Sequence, residues 1–343
     1  MRTLVISDLH LGRRLDRDVL RRPAALAALL RALDGVQRLV LLGDVVELME
    51  GTPERAVEAA EPVLRALGER IGPGGEIILV PGNHDRALIA PWMQRHGVPS
   101  ALDGAVPAGA TALLAQVVSS LAPAQVRVRY PGVWLSDRVW ATHGHYLDRH
   151  LLPEHAFGIA RGLLGRVPHR GATPAEYERS GGPSVTQIES VLARRLPRPL
   201  AALVDDLVEL LRVATMPAVR RRLLNPRMAR LTSSLLGVQM LRASIPALAR
   251  VTQRLGVDAD WVIFGHVHRR GPLAADNPAS WSGPGGRPRI ANTGAWVYEP
   301  VLLHRARPPH PYWPGGAIVI DDDADPRAVG LLDHLGAGAL RGS

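Results

Sequence analysis

Five times in this chain an apolar, β-branched run stops at a short cluster of histidine, aspartate, asparagine and glycine. The clusters are Asp8-Leu9-His10, Gly43-Asp44, Gly82-Asn83-His84-Asp85, His143-Gly144-His145 and Gly265-His266-Val267-His268. The runs that precede them, at 3–7, 38–42, 76–80, 139–142 and 261–264, have strand composition. Further strands are expected at 126–130 and 317–320. Amphipathic stretches at 19–33 and 53–70 separate the first three runs, and strand–helix–strand order implies parallel pairing. The later strands, 126–143 and 289–320, follow one another closely and suggest antiparallel additions. Loops at the carboxyl ends of strands are where open α/β sheets build their sites.

Composition narrows the chemistry of such a site. The chain has 343 residues, 46% of them apolar, enough for one large domain or two small ones. It has no cysteine, which removes disulfides, iron–sulfur clusters, thiolate zinc and a cysteine nucleophile. All 41 basic residues are arginine, so a catalytic lysine and a Walker-type phosphate loop are excluded. Any metal must therefore sit on oxygen and nitrogen ligands. The N-terminus carries no signal-peptide core and no apolar stretch is long enough to span a bilayer, so the expected location is the cytoplasm.

The formal net charge of +9 is concentrated in one segment. Residues 151–255 hold 16 Arg against 7 acids, and the remainder holds 25 of each. Helical spacing at 201–211 and 235–255, punctuated by proline, reads as an arginine-rich helical insertion. The Gly/Pro/Ser stretch 278–288 reads as a loop, and the tail from 336 to 343 as frayed.

The spacing within the clusters has physical content. In extended chain Asp8 and His10 point the same way, as do His266 and His268, so each pair can grip one ion. Two Asp, one Asn and four His suit two ions of the Mn, Fe, Zn or Mg kind. One carboxylate must bridge such a pair, and Asp44 stands in the middle of the set. Each cluster alone also has an ordinary reading, since Asp-x-His and His-x-His pairs occur on surfaces and Gly-Asn-His-Asp favours turns. Their order, each after an apolar strand, is what singles them out.

Together these residues resemble the calcineurin-like metallophosphoesterase superfamily, whose pattern runs Asp-x-His, Gly-Asp, Gly-Asn-His-Asp/Glu, a His beside Gly, then Gly-His-x-His. The resemblance covers roughly 1–150 and 256–320. It implies an α/β (α+β) fold, a four-layer αββα sandwich with the metal site at one edge. The expected core is then 1–150 with 256–330, and 151–255 is an inserted cap. It also implies that Asp8, His10 and His268 hold one divalent metal, that Asn83, His143 and His266 hold the other, and that Asp44 bridges them. Manganese is the first expectation for both ions, with Fe, Zn or Mg as alternatives. His84 is then the catalytic histidine near the leaving group, and Asn83 steadies charge on the phosphoryl oxygens. The implied reaction is in-line attack on phosphorus by a metal-bridging hydroxide.

The surrounding residues leave alternatives open. His145 has the spacing of a substrate contact or of a structural histidine. Asp85 and Asp148 could orient His84 or His145, or be solvated turn residues. Arg13, Arg14 and Arg86 lie beside motif residues and suit phosphate, as ordinary exposed arginines also would. The turn Asn292-Thr293-Gly294-Ala295-Trp296 resembles one that backs the site in bacterial members, or else is a strand connection with a packing tryptophan.

For the substrate, the helical insertion resembles the lid of bacterial UDP-2,3-diacylglucosamine hydrolases, although that branch has Arg where this chain has His84 and Asp where it has His145. The expected function is a phosphodiesterase or pyrophosphatase on a phosphorylated small-molecule, lipid-linked or nucleotide-linked substrate. The basic segment 151–255 could neutralise a diphosphate, or meet an anionic membrane from its inner face. A nuclease or cyclic-nucleotide phosphodiesterase is the alternative, and the few aromatics in the insertion weaken only its single-strand nucleic-acid form. A non-catalytic module on the same scaffold is disfavoured by the full ligand set.

Overall fold

A computed structural model of the chain describes residues 1–13, 16–150, 172–179, 244–300, 302–303, 306–322 and 324–341. The described residues hold ten strands. β1 (Arg2–Ile6), β2 (Arg38–Leu41) and β3 (Glu76–Leu79) lie side by side and parallel. β5 (Gln125–Trp134) is long enough to serve two sheets. Its first half pairs with β3 in parallel and with β4 (Asp103–Val106) antiparallel. Its second half pairs antiparallel with β6 (Val139–Thr142), which leads to the parallel strands β7 (Trp261–Phe264) and β8 (Arg289–Asn292). On the far side of β1, β9 (Gly316–Asp321) and β10 (Arg327–Gly330) add antiparallel.

The side-chain alternation explains why these strands form two facing sheets. Val5, Val40, Ile78, Val133, Ala141, Ile263, Ala291 and Ile318 pack into one apolar layer between them. Their neighbours point outward. Leu4, Ile6, Leu39, Leu41, Ile77 and Leu79 meet helices α1 (Pro23–Ala32), α2 (Pro53–Ile71) and α4 (Ala112–Ser120), which flank α3 (Ala90–His96) in sequence. Trp140, Val262, Phe264 and Ile290 of the second sheet meet Tyr177 of α5 (Pro174–Arg179) and the helical residues 244–255, here α6. Strands buried on both faces read as continuous apolar runs, and full burial of each large aliphatic side chain contributes roughly 1.5–3 kcal/mol. The result is the expected αββα order of layers.

α2 shows how a helix is written into the chain. Pro53 opens it and Gly72, at φ 74°, follows its last residue. Ala56, Val57, Ala60, Val63, Leu64 and Leu67 recur at helical spacing and are all buried.

Several elements differ from what the sequence suggests. The stretch 19–33 is not one helix, because Pro23 starts a new one after a single turn at Val19–Arg21. The stretches 126–143 and 289–320 do not add antiparallel throughout: the first half of β5 pairs with β3 in parallel, and β6 and β8 both run parallel to β7. The tail is not frayed at 336–341: Ala337–Leu340 forms a helical turn, α7, with Leu340 buried, and Arg341 donates to the Tyr298 hydroxyl at 3.1 Å. The expected helix at 201–211 and the first part of that at 235–255 lie outside the described residues, as does Arg14. The described parts of 151–255 pack on the second sheet.

Candidate metal centre

The parallel strands of both sheets end at one edge of the sandwich, and this brings the five clusters together. Backbone bonds tie the loops to one another: Asp8 N to Gly43 O at 3.0 Å, His10 N to Asp44 O at 2.8 Å, Gly265 N to His143 O at 3.0 Å and Trp296 N to Asp8 O at 2.9 Å. Asp8, His10, Asp44, His266 and His268 all have φ between 45° and 65°, in the left-handed region. Side chains seldom occupy it, and strain of that kind persists only where the surroundings over-determine it. The two histidine-bearing pairs are therefore not extended as the spacing suggests, and His266 and His268 join different donor groups instead of gripping one ion together. Gly82 and Gly265 allow the loops to close up. A methyl group at Gly82 would overlap the Asp44 carboxylate and the His143 ring, and one at Gly265 would overlap Ser7 and Asp8.

Among the described residues, three groups each bring their donor atoms within 4.8 Å of one another: Asp8 with His10 and His268, His10 with Asp44 and His84, and Asp44 with His143 and His266. His268 Nε2 is 3.3 Å from Asp8 Oδ1 and 3.3 Å from His10 Nε2. Asp44 Oδ2 stands 3.1 Å from His143 Nε2 and 3.9 Å from His10 Nε2. Asn83 Oδ1 is 3.1 Å from His143 Nε2. All seven residues singled out in the sequence therefore converge on one site, with His84 at its margin.

The donor set fits divalent cations. Asp8 and Asp44 are buried carboxylates whose neighbours are imidazoles, a hydroxyl and backbone amides. Burial of a carboxylate costs free energy unless positive charge compensates it. His10 and His268 aim Nε2 atoms at each other, an arrangement of lone pairs that a shared cation suits.

Three carboxylates shape the site from behind. Glu47 is fully buried and spans His10 Nδ1 at 2.9 Å and His84 Nδ1 at 2.7 Å. Burial disfavours the charged imidazole of His84, but the Glu47 and Asp44 carboxylates outweigh it and lift the group to about 9. Burial likewise opposes the charge on His143, and Asp44 lifts it to about 10. Asp85 does not orient His84. It accepts the backbone N–H of Gly82 at 2.6 Å and of Val45 at 2.7 Å, joining the loops that carry Asn83 and Asp44. Burial, then the Asp44 charge, raise Asp85 to about 6. Asp148 lies 3.0 Å from His266 Nε2.

The Asn292 turn backs the site. Its side chain donates to Gly265 O at 2.7 Å and accepts from Gly294 N at 2.8 Å, while Thr293 Oγ1 is 2.5 Å from Ser7 Oγ. Trp296 is buried and donates to Gly316 O. Arg13 pairs with Glu50 and with Glu299 at 2.6 Å. His145 and Arg86 share another partner, Glu178 of α5. Arg86 Nη2 is 2.6 Å from Glu178 Oε2, and His145 Nε2 is 3.8 Å from Glu178 Oε1.

Sequence reasoning missed Glu47 and Glu178. Glu47 left one signal, an acid inside the apolar run Val45-Val46-Glu47-Leu48 three residues after Asp44. Glu178 left none, being 92 residues from Arg86.

No curated protein matches the chain. Among solved structures it is similar to a cold-active protein-tyrosine phosphatase of a psychrophilic Shewanella species. The identity is 12% over 94% of this chain and 76% of that one, with a TM-score of 0.30. Residues 1–170 match the calcineurin-like phosphoesterase family. These residues carry four of the five clusters, and the chain belongs to that family of metal-dependent phosphoester hydrolases.

Proposed function

We propose that the chain is a dimetal phosphodiesterase or pyrophosphatase acting on a lipid- or nucleotide-linked phosphate. In this reading Asp8, His10 and His268 hold one ion, Asn83, His143 and His266 the other, and Asp44 bridges them. Manganese is the ion we expect. The observation that carries the reading is the position of Asp44 Oδ2, 3.1 Å from His143 Nε2 on one side and 3.9 Å from His10 Nε2 on the other. A carboxylate between two imidazole-rich donor groups is what a bridging ligand requires. When bound, such ions supply Lewis acidity toward phosphoryl oxygens and a water of lowered pKa.

The remaining chemistry is the protein's own. His84, held protonated by Glu47, is suited to donate a proton from Nε2 to the departing oxygen. The Asn83 amide group, whose oxygen faces His143, leaves its NH2 to donate toward phosphoryl oxygens. Asp85 keeps the Asp44 and Asn83 loops in register. The +9 charge of 151–255 supports an anionic substrate or an anionic membrane contact. No helix among the described residues is long and apolar enough to cross a membrane.

The test is hydrolysis of bis-p-nitrophenyl phosphate and p-nitrophenyl phosphate by metal-stripped protein before and after manganese is restored. We expect metal-dependent cleavage with the diester preferred. Preference for the monoester would replace the diesterase reading with a phosphomonoesterase one. Cleavage of neither, with metal bound, would count against hydrolysis of simple esters altogether.

A further inference from the structure

Beside the donor groups lies a second polar cluster that the reading above does not use. Its centre is Glu178, on α5, with a side chain only 8% exposed. One oxygen, Oε2, takes Arg86 Nε at 2.7 Å and Nη2 at 2.6 Å. The other, Oε1, accepts the Tyr130 hydroxyl and, at 3.0 Å, the Tyr146 hydroxyl, and lies 3.8 Å from His145 Nε2. Burial raises the Glu178 carboxyl, but His145 and Arg86 more than offset this and hold it at about 2.

The cluster is tied directly to the site loops. Arg86 follows His84 by two residues and Asn83 by three. His145 follows His143 by two, and their rings lie 5.6 Å apart. Tyr130 sits in β5 where the strand passes from one sheet to the other. Tyr177, next to Glu178, stacks on Tyr146 at 4.7 Å and 8°, which docks α5 against this wall. A single carboxylate therefore anchors an arginine, two tyrosines and a histidine drawn from three separate elements.

The arginine is only half committed. Glu178 occupies the Nε–Nη2 edge, and Nη1 makes no hydrogen bond among the described residues. The side chain is 40% exposed, so an incoming group can reach it. A guanidinium held along one edge presents the other with little loss of rotamer freedom, and its planar fork matches phosphate oxygens. Two tyrosine hydroxyls donating to Oε1 draw charge away from the carboxylate, so the open edge stays electropositive.

We propose that Arg86 receives a second phosphate of the substrate, adjoining the one that is hydrolysed, and that Glu178 is the positioning residue that holds the guanidinium for it. This rests on the hydrolase reading and narrows it to substrates in which the scissile phosphate has an anionic neighbour, such as diphosphate diesters. A phosphodiester with two neutral arms would leave the Nη1 edge unused.

The test compares two competitors of bis-p-nitrophenyl phosphate hydrolysis by the manganese-loaded protein. UDP-glucose is a diphosphate diester and UMP carries a single phosphate. An inhibition constant is obtained whether the competitor is cleaved or only bound. Arg86→Gln is expected to raise the UDP-glucose constant about tenfold and the UMP constant less than threefold. Glu178→Gln should give a smaller shift of the same kind, and Glu178→Asp should recover part of it. A merely structural ion pair would lower thermal stability and move both constants equally, and that result would overturn the proposal. So would failure of millimolar UDP-glucose to inhibit the unaltered protein. If bis-p-nitrophenyl phosphate is not cleaved at all, the hydrolase reading fails separately. Calorimetric binding of the same two nucleotides to the same variants then decides the arginine's role.

Discussion

Glu47 Oε2 lies 2.7 Å from His84 Nδ1, and the same oxygen lies 2.9 Å from His10 Nδ1. One buried carboxylate thus orients a proposed metal ligand and the proposed proton donor. Replacing it with an amide of equal size keeps the volume and removes the charge. For Glu47→Gln we expect kcat toward bis-p-nitrophenyl phosphate to fall about 10–100-fold at saturating manganese, the range typical of residues that orient ligands. KM should change less than kcat. A variant with unaltered kcat would show that neither imidazole depends on this contact.

Gly265 tests how tightly the loops are closed. A Cβ there would meet the Ser7 hydroxyl and the Asp8 carboxylate, and neither can retreat far because Ser7 is also held by Thr293. We expect Gly265→Ala to destabilise the metal-free protein by about 1–3 kcal/mol, the usual scale of overpacking. It should also weaken manganese binding, since Asp8 must shift. Denaturant unfolding together with metal titration measures both effects, and an unchanged midpoint with full metal affinity would refute the closeness described here.

Part of the acid sensitivity should arise away from the metal centre. Burial and then the charges of Arg254 and Arg250 push His150 down to about 4, and burial with Arg269 and Arg270 does the same to His310. Their ordinary value is 6.5. As pH falls below that value the unfolded chain binds protons before the folded one does. Stability present above pH 6.5 is therefore lost between about 6.5 and 4. In His150→Gln, which can still reach the Tyr177 hydroxyl, the drop in Tm from pH 7 to pH 5 should be smaller by about 2–4 °C. Equal drops in variant and parent would show that His150 does not titrate with unfolding.

Much of the layout is legible in the sequence because a buried strand must alternate its contacts. The runs at 38–42, 76–80 and 261–264 send odd and even residues to different apolar layers, and both layers need large aliphatic side chains. The site residues are legible because each stands where such a run ends. β4 and β10 were not, being short, glycine-containing and half exposed, with one partner strand each. The direction of β8 depends on how the long connection from β7 returns, which local composition does not encode. Glu47 and Glu178 act on partners 37 and 92 residues away, and a lone acid carries no mark of a distant histidine or arginine.

The proposed chemistry depends on Asp44 joining two ions. The most direct measurement is the manganese content of the purified chain and of Asp44→Asn after equilibration with excess metal and desalting, with bis-p-nitrophenyl phosphate hydrolysis followed on the same samples. We expect two ions per chain in the parent, at most one in Asp44→Asn, and loss of hydrolysis with the second ion. Two tightly held ions and undiminished hydrolysis in Asp44→Asn would contradict this bridging role.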